Sequence, residues 1–83
     1  RYDEAIETAK EELRRLDNYF TRTRLALYYA QTGRDEEARA EIERVLRAKP
    51  DMNLKIWANA QFFKDTSQLE RDLADLRRRG LPE

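Results

Sequence analysis

Residues able to do covalent or acid–base chemistry are scarce in this chain, and those present are spaced for solvation. There is no histidine and no cysteine, so the commonest general base and the thiolate nucleophile are both missing. No glycine-rich phosphate loop and no metal-ligand spacing occurs. Most of the seventeen carboxylates fall on helical faces open to water. Glu11 and Glu12, an obvious adjacent pair, diverge on a helix and are ordinarily just solvated. Hydrolysis by two carboxylates needs a cleft that a small bundle is not expected to enclose. No catalytic, cofactor-binding or metal-ligating residue is therefore assigned, and no cofactor is expected.

Two other groups of residues are suited to recognition. The basic runs Arg14-Arg15, Arg22 with Arg24, and Arg77-Arg78-Arg79 lie near Tyr19, Tyr28 and Tyr29 in sequence, a combination that can stack on single-stranded nucleic acid. Acidic residues are interleaved throughout, and solvated ion pairs explain these arginines more simply. The seventeen basic and seventeen acidic residues cancel, which leaves no overall field for nucleic acid or an anionic membrane. The second group is Trp57 with Phe62 and Phe63. Aromatic side chains are frequent interface anchors, but a short helix also needs something large to bury, and Trp57 is expected to pack between the third and fifth helices.

The elements that would hold these residues are helical. In 83 residues, 41% are charged and 40% hydrophobic, with two glycines and two prolines, a mixture suited to amphipathic helices in one domain. Tyr2, Ala5, Ile6, Ala9, Leu13 and Leu16 form the apolar stripe of a first helix. Asn18 is placed to cap a second, whose apolar residues Phe20, Leu25, Ala26, Leu27, Tyr28, Tyr29 and Ala30 cover most of its circumference and call for a central position. Gly33 stops it. Asp35-Glu36-Glu37 starts a third helix with charge that suits the macrodipole; Ala38, Ile42, Val45 and Leu46 carry its stripe to Pro50. A fourth is expected from Asn53 to about Phe62, and a fifth after the cap Asp65 with Gln68 three residues on, burying Leu69, Leu73 and Leu76. Gly80 and Pro82 end it.

The segment Arg1-Tyr2-Asp3-Glu4-Ala5 aligns with Arg34-Asp35-Glu36-Glu37-Ala38 at an offset of 33 residues, the length of one helix pair. With Leu25, Ala26, Tyr29, Gly33, Ala38, Ile42 and Pro50 at their spacings, residues 19–50 resemble a tetratricopeptide repeat, although Arg22 stands where that family prefers Trp. The resemblance implies an all-α fold of about five helices, antiparallel hairpins stacked as a right-handed solenoid fragment. Residues 1–18 would be the second helix of a truncated repeat, 19–50 a complete one, and 51–83 a degenerate capping pair.

It further implies a protein-interaction or scaffolding module. The inner wall of such an array would present Phe20, Thr23, Leu27, Ala30 and Gln31 to an amphipathic helix from a partner or from elsewhere in the same protein, with Trp57 as a further contact. An alternative is a homodimer through Tyr2, Ile6, Ala9 and Leu13 of an unpartnered first helix. The tail, from Pro50 to Pro82, resembles the segment that closes helical repeats in bacterial signalling proteins, some of which carry an adenylate or guanylate cyclase domain. That likeness implies a regulatory region in a cytoplasmic bacterial protein. No apolar run approaches the roughly 18 residues of a membrane span.

Overall fold

The computed structural model describes residues 2–61 and 65–83. These form α1 (Tyr2–Arg15), α2 (Tyr19–Gln31), α3 (Asp35–Ala48), α4 (Leu54–Asn59) and α5 (Thr66–Arg78), with no strand among the described residues. The expected helices are all present. The fourth is shorter than its pattern suggested, and Phe62 and Phe63, which were grouped with Trp57, lie outside the described residues.

Each boundary has a local chemical cause. The Asn18 side chain accepts hydrogen bonds from the Phe20 and Thr21 amides (2.8 and 3.2 Å) and starts α2. Asn53 does the same for Ile56 and Asp65 for Gln68 (2.9 and 2.8 Å). The two glycines end helices in one way. At Gly33 (φ +79°), the Arg34 amide donates to the Tyr29 carbonyl and the Gly33 amide to that of Ala30. At Gly80 (φ +111°), Leu81 and Gly80 repeat that pattern on Leu76 and Arg77. Both are Schellman closures, whose left-handed residue favours glycine. In the second closure Leu76 and Leu81 also meet in the core. The Pro82 carbonyl then accepts from the Leu54 amide at 2.8 Å, so the tail satisfies an open donor at the start of α4.

Helix α2 is the centre of the packing, in contact with α1, α3 and α5. Leu25, Tyr29 and Ala30 cluster with Ile6, Ala9 and Ala38 on one side, while Ala26 and Leu27 cluster with Ile42, Val45, Met52, Leu54, Trp57, Leu76 and Leu81 on the other. Ala38 and Val45 are fully enclosed where α3 crosses α2, since small side chains let helices approach closely. Contacts between Arg24 and Glu12 and between Tyr28 and Tyr2 make α1 antiparallel to α2. Contacts between Arg22 and Glu41 and between Tyr29 and Arg34 do the same for α3. Consequently α1 and α3 run parallel.

Some expectations about burial change. Leu16, placed on the stripe of the first helix, is 72% exposed because α1 ends at Arg15 and the chain turns away before Asn18. Leu69 and Leu73 are half-buried, leaving Leu76 as the enclosed leucine of α5. Met52 and Leu81, which the helical periodicity left in connections, are in the core.

A Cβ added at Gly33 meets nothing within 4 Å, so substitution there tests backbone conformation alone. Gly33→Ala is expected to cost about 1–2 kcal/mol in urea denaturation, and Gly33→Asn less, because asparagine tolerates the left-handed region better.

Candidate functional site

The face of α2 assigned to a partner is covered in this structure by the chain itself, Leu27 and Phe20 by the carboxyl-terminal half and Ala30 by the cluster it forms with α1 and α3. Thr23, Leu27 and Ala30 are buried, Phe20 and Gln31 half-buried. Leu27 shares a core cluster with Leu76 and Leu81. Phe20 lies near Trp57 with ring centroids 6.4 Å apart and near Tyr19 at 4.8 Å. Trp57 is 3% exposed and belongs to the core, as its pairing with a short helix suggested. Its indole N–H is buried without a hydrogen-bond partner among the described residues.

At the far end of α2, Gln31 donates from Nε2 to Oδ1 of Asp72 at 2.8 Å, and Gln68 donates to the same oxygen at 2.8 Å. Asp72 is completely enclosed. It falls between Leu69 and Leu76 on the stripe of α5, so the only signal in the sequence was a carboxylate standing on an apolar face. Gln31 thus faces the chain's own α5.

The residues assigned to self-association divide. Ile6 and Ala9 are buried against Leu25, Tyr29 and Ala38, with Leu13 half-buried at the edge of that cluster. Tyr2 is 43% exposed, and its ring lies 6.0 Å from that of Tyr28. A contact between two copies through α1 would therefore rest on Tyr2 and Leu16, with the rim of Leu13.

A second buried carboxylate sits on the other side. Glu41 lies between Ala38 and Val45 on the stripe of α3 and accepts from Arg22 at 2.7 Å and from Arg44 at 2.8 Å. Arg22 also donates to Asp17 at 2.9 Å. Its burial opposes the charge, but the hydrogen bonds to Glu41 and Asp17 more than compensate and hold its pKa above the ordinary value. Arg22 thus ties α2 to α3 by charge. Among the described residues no group of His, Cys, Asp or Glu is arranged to hold a metal ion. No described helix is long and apolar enough to cross a membrane.

No protein-family model, curated protein or solved structure matches the chain.

The start of α3 is joined to the end of α5 through Asp35, which accepts from Arg39 at 2.9 Å and from Arg79 at 2.7 Å. Hydrogen bonding to Arg39, with Arg79 adding to it, holds the Asp35 carboxyl below the usual carboxylate range. Arg34 does the same for Glu37. Because these folded-state values are depressed, their stabilisation is present above about pH 4 and is lost as pH falls through the folded value. Thermal melts are expected to show a falling Tm below about pH 4, with a flatter acid limb in Asp35→Asn.

Proposed function

We propose that this chain is a protein-interaction and scaffolding module, built as a tetratricopeptide-like right-handed stack of helix hairpins, that recognises an amphipathic helix on the inner face of α2. The observation that supports this reading is the placement of α5. An amphipathic helix already lies on Leu27, and Asp72 binds the Gln31 side chain at one end. Helix-in-groove recognition uses the same elements: apolar anchors at helical spacing and a polar contact that fixes register. The parallel α1 and α3, 33 residues apart in sequence and both packed on α2, support the repeat reading.

On this reading the occupant of the face is either α5 or a competing helix from a partner or another domain of the same polypeptide. Exchange between them is how such a module would transmit a signal. The resemblance of the tail to the closing segment of bacterial signalling proteins supports a place in the regulatory part of a larger protein. Cyclase chemistry would then reside in another domain.

The test weakens α5 within the full chain. Leu76→Ala removes a fully buried side chain, a change that typically costs about 2–5 kcal/mol. A fluorescein-labelled peptide spanning residues 65–83 is expected to bind this variant at least about tenfold more tightly than the parent chain. Adding Gln31→Ala should reduce that binding. Equal, weak binding to both chains, with circular dichroism showing helix retained in the variant, would exclude α2 as an exchangeable helix-binding face.

A further inference from the structure

A second surface lies on the opposite side of the molecule, where α1 and α3 both rest on α2 and meet at its core through Ile6, Ala9 and Ala38. Two open depressions lie here and Arg22 lines both: one of about 300 Å³ between α1, α2 and Glu41 of α3, and one of about 410 Å³ among Asp17, Arg44, Arg47 and Ala48. Their charged lining is Lys10, Arg14, Arg22, Arg44 and Arg47 against Asp17 and Glu41.

Both lining carboxylates are already committed, Asp17 to Arg22 and Glu41 to Arg22 and Arg44. Arg47 makes no ion pair among the described residues. Lys10 and Arg14 pair only with Glu7 and Glu11, one turn away on the same helix and well exposed. Such pairs contribute little and exchange readily, so an incoming carboxylate can replace them. The lining thus carries more positive than negative charge, and Glu37, which also attracts Lys10, is itself held by Arg34.

Its apolar features narrow the choice further. Leu13 lies between Lys10 and Arg14 on the wall, and Leu16 stands 72% exposed one turn beyond it. Tyr29 reaches the floor but is only 4% exposed, so it offers no ring face on which a nucleic-acid base could stack. Cations flanking a leucine edge complement a protein segment with carboxylates on one side and apolar residues on the other.

We infer that the furrow between α1 and α3 binds an acidic amphipathic protein segment, with carboxylates on Lys10, Arg14, Arg44 and Arg47 and an apolar residue against Leu13 and Leu16. This site lies away from the α2 face that holds α5. The two surfaces therefore stand or fall separately.

The probe is a fluorescein-labelled peptide of about 16 residues, roughly 24 Å as a helix, with Glu and Leu at i, i+3, i+4 spacing. Anisotropy titrations of the full chain should show saturable binding that weakens as salt rises from about 0.05 to 0.5 M. The double variant Arg44→Glu/Arg47→Glu should weaken binding about tenfold or more. Arg47→Glu alone, at a position with no ion pair to break, should weaken it about threefold while circular dichroism stays unchanged. Arg78→Glu, an exposed reversal on α5, should change it less than about twofold.

A Lys/Leu peptide of the same apolar pattern should bind at least about tenfold more weakly. Absence of acidic-peptide binding, or binding indifferent to Arg47→Glu, overturns the site. The latter outcome leaves the α2 reading intact, because that reading is judged by the residue 65–83 peptide. Tighter binding of a single-stranded oligonucleotide that displaces the peptide overturns the assignment of partner class.

Discussion

Leu25 and Leu27 are two positions apart on α2, which sets their side chains about 200° apart around a helix, and both are enclosed. One turn of α2 therefore has to be covered from opposite sides at once. Leu25 obtains its cover from α1, and Leu27 from α4, α5 and the tail, while Ala26 between them accepts the close approach of α3. A single hairpin cannot satisfy these three demands. The remaining helices take their places from that requirement, and the two apolar clusters adjoin on α2 and on α3, which gives Ala38 to one and Ile42 and Val45 to the other.

Charge then fixes what apolar packing leaves adjustable. Two carboxylates sit on otherwise apolar stripes, Glu41 on α3 and Asp72 on α5, and each is engaged by a side chain of α2: Arg22 at one end and Gln31 at the other. Burying a carboxylate is costly unless hydrogen bonds replace its water. Sliding either helix by a turn would take its carboxylate away from the α2 side chain that it meets, leaving it with partners other than that α2 side chain, among them Arg44 for Glu41 and Gln68 for Asp72 on its own helix. The pair thus sets the register of α3 and α5 against opposite ends of one central helix. Arg79 adds a third tie, from the end of α5 to Asp35 at the start of α3.

This arrangement also determines which surfaces remain for other molecules. The inner face of α2, with Thr23, Leu27 and Ala30, is consumed by intramolecular packing. On the opposite side α1 and α3 both pack on α2 and meet at Ile6, Ala9 and Ala38, and the basic furrow runs above that contact. Its residues are divided among α1, α2 and α3. No local run of sequence displays the cluster, because Lys10 and Arg14 on one side and Arg44 and Arg47 on the other are joined through Arg22 only once both helices are laid on α2.

What the residues alone specify is local. Period-3.6 patterning, the caps at Asn18, Asn53 and Asp65, and the left-handed glycines at 33 and 80 place helices and their ends, because each acts within about one turn of chain. The all-round apolar character of 19–31 likewise announces a central helix. What covers that helix is a matter of long-range geometry. The enclosure of Met52, Leu81, Glu41 and Asp72, the exposure of Leu16, and the use of the inner face by α5 depend on which surfaces meet across the fold. Periodicity marks a face for burial but names no partner for it, and only assembly of the five helices supplies one.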